Sequence, residues 1–379
     1  MKRYLLLDID GVLVRPLGYR AALRDSVATF AAWMGLADFQ VEEEVISGLE
    51  ARGISSEFDM LPLLVGALLE AFLSSTAIEN VPEEVEEAAQ SIAAAHPSPP
   101  QKLVVPTFPL QEGCFPSEAA YRNGVYPSLP NALRRSLLLN TRQVYRSATT
   151  RLFQQFVLGS QRFSEIYGLP AQVQVPSYLV QYDQPLLDAL SCARLGRAWR
   201  RGDCYVAAMT ARPSLPPRGV APVSEPYPPE AEAALELVGL PDLPLIGLGK
   251  LEYVARQANL PVENLLKPSA TQALAALLVA SGKDELAAIE GALAWLAQRS
   301  LHFSFDSLPK QFELHVVEDT LGGIRSVRTA AQFLEESGYQ VSVCAWGLTD
   351  ANPQKRKSLE GEGVPCFDTW EELLDRLGF

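Results

Sequence analysis

Apolar runs of strand length alternate with segments of helical periodicity along the C-terminal half of the chain. A first run stands apart at the N-terminus: Tyr4–Leu7 is apolar on both faces and ends at Asp8, as does a central strand covered by helices on both sides. Similar runs predict strands at Cys204–Met209, Leu243–Leu248, Leu314–Val317, Val341–Ala345 and Pro365–Phe367. Helical periodicity between them predicts helices over Pro229–Val238, Leu251–Ala258, Ala270–Ala280, Glu285–Gln298, Ile324–Glu336 and Thr369–Leu377. This alternation predicts an α/β fold, a parallel sheet with helices on both faces.

Residues 15–200 contain no comparable strand pattern. Their periodicity predicts helices at Tyr19–Met34, Val41–Ala51, Phe58–Leu73, Pro82–Ala95, Asn131–Leu158 and Pro185–Arg200. A single crossover between parallel strands does not need so many residues. The sequence therefore predicts a discontinuous sheet domain, residues 1–14 and 201–379, and a large, mostly α-helical domain, residues 15–200, inserted after the first strand.

Charge and cysteine content narrow the class of protein. The 379 residues carry 45 Asp and Glu against 32 Lys and Arg, a net charge of −13, which argues against a nucleic-acid partner because such binding needs a basic surface. Five cysteines without C-x-x-C spacing favour a reducing compartment. The apolar run after Arg3 is too short for a secretion signal, and Glu70 interrupts the apolar stretch Leu61–Leu73. We therefore expect a soluble cytoplasmic protein with no membrane partner.

Two acidic pairs come directly after predicted strands. Asp8 and Asp10 follow the first strand, and Glu318 and Asp319 follow the strand Leu314–Val317. Carboxylates at the carboxyl ends of parallel strands face the crevice in which α/β proteins bind ligands. Close carboxylates repel each other and need a cation or a shared proton, and a hard cation such as Mg²⁺ takes oxygen ligands. The alternative is that each pair only ends its strand or begins the next helix.

A hydroxyl and a lysine stand at comparable positions. Thr210 ends the predicted strand Cys204–Met209, where a hydroxyl can hold a phosphoryl oxygen. Lys267 precedes the predicted helix Ala270–Ala280, where a lysine opposes the helix dipole unless an anion lies nearby. Taken singly, each also fits an ordinary strand end or an exposed lysine.

Taken together and in order, four segments resemble the motifs of the haloacid dehalogenase superfamily of phosphohydrolases. They are DIDGVL (Asp8 to Leu13), MTARP (Met209 to Pro213), KPS (Lys267 to Ser269) and VVEDTLGGIRSV (Val316 to Val327). The resemblance covers the predicted sheet domain and implies a Rossmann-like core, with the insertion where the superfamily carries its helical cap. Lys250 competes for the role of phosphate-binding lysine, but it lacks the proline that follows Lys267.

The resemblance also implies a role for each residue. Asp8 would be the nucleophile that forms an aspartyl-phosphate, and Asp10 would be the general acid for the leaving oxygen and then the base for the attacking water. Thr210 and Lys267 would be catalytic residues that bind the phosphoryl oxygens. The implied Mg²⁺ ligands are Asp8, Asp10 through its backbone carbonyl, Glu318 and Asp319.

Arginines are the candidates for substrate binding. Residues 101–170 hold eight Lys or Arg and three Glu, a local net charge of +5. On the single predicted helix Asn131–Leu158, Arg135, Arg142 and Arg146 fall on one narrow face, which predicts a stripe that binds a substrate anion. The alternative is a solvated face, or a partner for the acidic predicted helices Val41–Ala51 and Pro82–Ala95. We add Arg212, in the MTARP segment, as a fourth substrate-binding candidate.

These residues predict a phosphoric monoester hydrolase, a Mg²⁺-dependent phosphatase acting on a small phosphorylated metabolite. Two alternatives stay open: a phosphomutase of the same superfamily, and a non-catalytic module that binds a phosphorylated ligand or a protein. The sequence indicates neither the substrate, nor the oligomeric state, nor the purpose of the extra helix Glu285–Gln298.

Overall fold

The chain folds into two compact units. The structure is a computed structural model that describes residues 1–75, 78, 80–95, 103–111, 113–221, 226–298 and 305–379. Met1–Pro16 and Asp183–Phe379 form the sheet unit, and Leu17–Tyr182 form the helical unit. The boundaries thus lie at 16 and 183 rather than at the expected 14 and 201. The reason is that Leu195 and Ala198, on a helix predicted for the insertion, pack into the core of the sheet unit.

All the described strands lie in the sheet unit. They are β1 (Lys2–Leu7), β2 (Val14–Arg15), β3 (Gln184–Pro185), β4 (Tyr205–Met209), β5 (Leu245–Ile246), β6 (Gln311–Glu318), β7 (Gln340–Leu348) and β8 (Cys366–Phe367). Six of them form one sheet in the order β5-β4-β1-β6-β7-β8, and every pairing in it is parallel. The short strands β2 and β3 pair antiparallel in a separate ladder.

The helices divide between the two units. In the helical unit they are α1 (Leu17–Trp33), α2 (Glu43–Glu50), α3 (Glu57–Ser75), α4 (Val85–Ala94), α5 (Pro116–Arg122), α6 (Asn131–Leu138), α7 (Ala148–Leu158), α8 (Ser160–Tyr167) and α9 (Tyr178–Tyr182). In the sheet unit they are α10 (Ala189–Arg201), α11 (Glu230–Leu237), α12 (Leu248–Ala258), α13 (Ala270–Ala280), α14 (Glu285–Gln298), α15 (Leu321–Glu336), α16 (Pro353–Glu360) and α17 (Trp370–Leu377). A 3₁₀ turn, Val262–Asn264, lies between α12 and α13.

The central strand β1 shows why the sheet is covered on both faces. Successive side chains of a strand point to opposite faces. Tyr4 and Leu6 accordingly enter a core built with α12, α13, α14 and α15, whereas Leu5 and Leu7 enter a second core built with α10, α11 and α17. The predicted α/β class, a Rossmann-like parallel sheet with helices on both faces, is confirmed. Because β1 pairs with β4 on one side and β6 on the other, the segments that follow these three strands emerge side by side.

The helical unit corrects the prediction of one long helix over Asn131–Leu158. Helix α6 ends at Leu138, and α7 begins at Ala148. Asn140 adopts a positive φ of 60°, a left-handed conformation that asparagine tolerates but that cannot continue a helix. Ser147 then caps α7, because its side chain accepts a hydrogen bond from the Thr150 N–H. The three arginines of the expected stripe therefore do not share a helix face.

Among the described residues, α3 is the one helix that is long and apolar enough to cross a bilayer. The helix is longer than the apolar stretch Leu61–Leu73, from which the sequence predicted no membrane-spanning segment. Within the helical unit, 67% of its most apolar window is buried. Leu64 and Leu68, both fully buried, belong to the core that the helices of this unit share. This burial is that of a core helix in a globular unit.

Candidate active site

Three carboxylates meet at the carboxyl edge of the sheet. Leu7 pairs with Val317 across β1 and β6, which brings the residues that follow, Asp8 and Glu318, next to each other. Asp8, Glu318 and Asp319 each offer a carboxylate oxygen, and these oxygens lie within 4.8 Å of one another. Of the two acidic pairs, the cluster contains Asp8, Glu318 and Asp319 but not the carboxylate of Asp10. An all-oxygen donor set of this kind suits a hard divalent cation.

Lys267 bridges two of these carboxylates. Its Nζ lies 2.8 Å from Asp8 Oδ1 and 2.6 Å from Glu318 Oε1. The competing Lys250 lies elsewhere in the unit, with its Nζ 3.2 Å from Glu285 Oε2 and 3.7 Å from Glu232 Oε1. Of the two candidate phosphate lysines, Lys267 is therefore the one that contacts the carboxylate cluster.

Burial dominates the electrostatics of the cluster. It raises the pKa of Glu318 from the ordinary 4.5 to about 8, and the neighbouring Asp8 charge adds to this rise while Lys267 opposes it. Burial likewise raises the pKa of Asp8 to about 6, against the pull of Lys267 and with help from Asp319 and Asp10. Burial alone would lower the pKa of Lys267, but the Asp8 and Glu318 carboxylates raise it above its ordinary value. Burial thus favours the protonated form of Glu318, while the two carboxylates favour the charged form of Lys267.

A second lysine at the cluster was missed by the sequence reasoning. The Nζ of Lys355 donates a short hydrogen bond to Asp319 Oδ2. Lys355 lies in the first turn of α16, which Asn352 caps by accepting hydrogen bonds from the N–H groups of Gln354 and Lys355. A lysine in a first helical turn opposes the helix dipole unless an anion is near. The same reasoning singles out Lys267, but no helix was predicted at Pro353–Glu360, so it was not applied to Lys355.

Two glycines leave room for the carboxylates. Gly11 has a φ of +73°, and a Cβ built there would overlap the Asp319 carboxylate. A Cβ on Gly323, in the first turn of α15, would overlap the Glu318 carboxylate. By contrast, a Cβ on the adjacent Gly322 would meet only Thr320 Oγ1, at 3.9 Å. The close approach of backbone to carboxylate explains why glycine occupies positions 11 and 323.

Thr210 follows β4 and is 1% exposed. Its carbonyl accepts a hydrogen bond of 2.9 Å from the Gln272 amide, which also donates to the Ile246 carbonyl at 3.0 Å. The side-chain oxygen of Gln272 accepts from the backbone N–H of Lys267 at 3.2 Å. One buried glutamine thus ties the end of β4, the end of β5 and the lysine segment together. Sequence reasoning missed Gln272, because a polar residue inside an apolar helix carries no local sign of its partners.

Asp10 and Arg212 form an ion pair beside the cluster. Arg212 Nε and Nη2 lie 2.7 Å and 2.6 Å from Asp10 Oδ1. Arg212 is 2% exposed, and its Nη2 also lies 2.8 Å from Asp183 Oδ2. A guanidinium held by two carboxylates in the interior disagrees with the substrate-binding role expected for Arg212.

The other substrate-binding candidates belong to the helical unit. Arg142 is engaged within that unit: its Nη1 lies 2.9 Å from Oδ1 of the buried Asp59, and its guanidinium stacks 3.7 Å from the ring centroid of Phe115. The alternative to substrate binding was pairing with an acidic helix. Arg142 does pair with an acidic residue, but Asp59 lies on α3 and not on the predicted helices Val41–Ala51 or Pro82–Ala95. Arg135 and Arg146 are exposed, and their role in substrate binding stays a prediction.

Comparisons with known proteins bear on the fold. None of the protein-family models matches the chain, and no curated protein matches its sequence. An X-ray structure of Northeast Structural Genomics Consortium target ZR25 is similar over 100% of this chain and 98% of its own, with a TM-score of 0.68 and 14% identity. The phosphatase Tt82 from Thermococcus thioreducens is similar over 90% of this chain and 91% of its own, with a TM-score of 0.45 and 15% identity. The first likeness shows a shared fold, and the second is too distant to carry an argument.

The glycine next to Glu318 gives a test of the carboxylate cluster. We expect Gly323→Ala to displace the Glu318 carboxylate and weaken binding of a divalent cation by about 10-fold or more, as loss of a metal-site contact does. The readout is the rise in unfolding temperature on titration with Mg²⁺. Gly322→Ala is the matched control: it adds the same methyl group one residue away and should keep the wild-type response. Equal responses of both variants would contradict this account of Gly323.

The raised pKa of Glu318 predicts a pH dependence of stability in the presence of a chelator. The folded protein keeps a proton on Glu318 that the unfolded chain releases above its ordinary pKa. Stability from this group is therefore fully present below pH 4.5 and is lost as the pH rises through about 8. Measured by thermal unfolding, the advantage of Glu318→Gln over the wild type should grow by a few °C between pH 5 and pH 8. A difference that stays constant over this range would show that Glu318 is already ionised in the folded protein.

Proposed function

We propose that this protein is a Mg²⁺-dependent phosphatase of the haloacid dehalogenase type that hydrolyses a small phosphorylated metabolite through an aspartyl-phosphate. One observation carries the proposal: carboxylate oxygens of Asp8, Glu318 and Asp319 lie within 4.8 Å of one another, with Lys267 bridging two of them. The order of the motifs supports it. Asp8 follows β1, Thr210 follows β4, Lys267 precedes α13, and Asp319 follows β6.

Asp8 is the nucleophile in this proposal. The contacts described for its carboxylate, from the Ile9 N–H and from Lys267, both fall on Oδ1 at 2.8 Å, so Oδ2 is the oxygen that attacks phosphorus. The new bond joins Asp8 to phosphorus while the bond from phosphorus to the ester oxygen breaks. Asp10 gives its proton to that oxygen, and the alcohol leaves.

Hydrolysis of the aspartyl-phosphate completes the cycle. Asp10, now a carboxylate, takes a proton from a water molecule as that water attacks phosphorus. The bond between phosphorus and Asp8 breaks, which releases inorganic phosphate and restores the Asp8 carboxylate. Asp10 ends with the proton that it held at the start, so the enzyme is regenerated.

Charge compensation is the task of the surrounding residues. Asp8, Glu318 and Asp319, with the backbone carbonyl of Asp10, would hold Mg²⁺. When bound, Mg²⁺ would offset negative charge on the phosphoryl oxygens. Lys267 stays protonated because the carboxylates raise its pKa, so it offers a fixed positive charge to a phosphoryl oxygen. The hydroxyl of Thr210 would donate a hydrogen bond to another.

A screen of phosphate esters tests the proposal. With Mg²⁺ present, the wild type should release inorganic phosphate from at least one ester, and Asp8→Asn should lower that rate by about 10³-fold or more because the amide is a poor nucleophile. Asp375→Asn is the matched control. It makes the same chemical change at an exposed carboxylate that pairs with Arg194, and it should keep the wild-type rate.

Three outcomes would contradict the proposal in different ways. Undiminished turnover by Asp8→Asn would remove the assigned nucleophile. An isomeric phosphate ester in place of inorganic phosphate would identify a phosphomutase. No turnover of any ester by the wild type would favour a module that binds a phosphorylated ligand without cleaving it.

A further inference from the structure

Arg212 holds the carboxylate of Asp10 by a single oxygen. Both Nε and Nη2 of the guanidinium approach Oδ1, at 2.7 Å and 2.6 Å. Among the described residues, no hydrogen bond or ion pair is formed by the other oxygen of Asp10, Oδ2. The Asp10 side chain is 33% exposed, whereas that of Arg212 is 1% exposed. One oxygen is therefore fixed from the interior, and the carboxylate still has a face that a ligand can reach.

Arg212 is itself fixed on several sides. Its Nη2 lies 2.8 Å from Oδ2 of Asp183, a carboxylate as deeply buried as the guanidinium. Its backbone N–H donates to Thr210 Oγ1 at 3.1 Å, and its carbonyl accepts from the Leu248 N–H at 3.0 Å. A buried arginine costs free energy unless it is paired and hydrogen-bonded. The pairing with two carboxylates meets that cost and leaves the guanidinium little freedom to turn toward a substrate.

The short antiparallel pair of β2 and β3 positions Asp183, and β2 follows Asp10 closely in the chain. Asp183 immediately precedes β3, which pairs with β2, and the N–H groups of Leu186 and Leu187 donate to the Leu13 carbonyl at 2.9 Å and 3.2 Å. Asp10 and Asp183 therefore reach Arg212 from two segments that are hydrogen-bonded to each other. This arrangement sets the position of Asp10 relative to the sheet.

We propose that Arg212 is a positioning residue that holds Asp10 by Oδ1, so that Oδ2 faces the leaving oxygen of the substrate, and that Asp183 holds Arg212 in turn. The inference rests on the proposed phosphatase function and assigns Arg212 a task other than the substrate binding expected for it. In the first step Oδ2 carries the proton that the leaving oxygen receives. In the second step the same oxygen takes the proton from water.

Arg212 could act through Asp10 or could bind the phosphoryl group directly. Loss of Arg212 would slow different esters in these two cases, depending on the leaving group. An alkyl phosphate expels a strongly basic alkoxide and needs the proton from Asp10, whereas p-nitrophenyl phosphate expels a weakly basic phenolate and does not. Loss of a residue that acts through Asp10 therefore slows the alkyl ester selectively. Loss of a residue that binds the phosphoryl group slows both esters alike, because both carry the same phosphoryl group.

The experiment compares kcat/KM for the two esters, since this ratio covers the steps up to formation of the aspartyl-phosphate. For Arg212→Met we expect a loss of about 10²-fold with the alkyl phosphate, the low end of the effect of general acid catalysis, and less than about threefold with p-nitrophenyl phosphate. Arg212→Lys, which keeps the charge but not the two-donor grip on Oδ1, should show the same selectivity with a smaller loss and guards against misfolding of the first variant. Arg194→Met, at a surface ion pair with Asp375, is the matched control and should not change the ratio between esters.

A double-mutant cycle with Asp10→Asn checks that Arg212 acts through Asp10. The double variant Asp10→Asn with Arg212→Met should be no slower on the alkyl ester than Asp10→Asn alone. A further loss in the double variant, or equal losses on both esters in Arg212→Met, would overturn the proposal in favour of direct phosphoryl binding by Arg212.

A crystal structure of Arg212→Met supplies a readout that does not depend on turnover. The Asp10 carboxylate should occupy more than one rotamer once Arg212 is gone, and an unmoved Asp10 would overturn the positioning role. Absence of turnover in the wild type on every ester would instead contradict the proposed function, so the two failures are distinguishable.

Discussion

Repulsion among buried carboxylates is the constraint on which the rest of this site depends. The parallel sheet brings Asp8 and Glu318 side by side, and Asp319 completes a group of oxygens within 4.8 Å. At such a separation two unit charges in a protein interact by about 3.5 kcal/mol when the effective dielectric constant is about 20. Two cations lie against these carboxylates: Lys267 bridges Asp8 and Glu318, and Lys355 pairs with Asp319. Burial also favours the protonated form of Glu318.

The backbone around the cluster follows from the same constraint. Gly11 and Gly323 let the backbone approach where any side chain would overlap a carboxylate. Gln272 connects the ends of β4 and β5 to the lysine segment, and Ser326 of α15 donates to the Ser269 carbonyl at 2.5 Å. These hydrogen bonds come from side chains on helices that pack against the sheet. Side chains on α13 and α15 thereby help to hold the segments at the acidic edge.

Lys250 and Arg212 show that the role of a buried cation depends on which carboxylates it pairs with. Both are nearly inaccessible, at 3% and 2% exposure, and each faces two carboxylates. Lys250 pairs with Glu232 and Glu285 away from the carboxylate cluster, so its contacts describe a structural pair. Arg212 shares one of its carboxylates, Asp10, with the proposed chemistry. Both residues are buried cations paired with carboxylates. Only the identity of the carboxylate partner distinguishes the structural role of Lys250 from the positioning role of Arg212.

The sequence by itself determined the α/β class, the central place of β1 and the strand and helix ends that carry Asp8, Thr210, Lys267 and Asp319, because an apolar run followed by polar residues is a local pattern. It failed at one local helix break and at contacts between residues distant in the chain. Asn140 breaks the helix expected over Asn131–Leu158 through its own backbone conformation. Arg212, expected to bind substrate, pairs with Asp10 and Asp183. Lys355 reaches Asp319 from 36 residues away. Only the tertiary structure decided these partners, since which charges meet depends on how strands distant in the chain are ordered in the sheet.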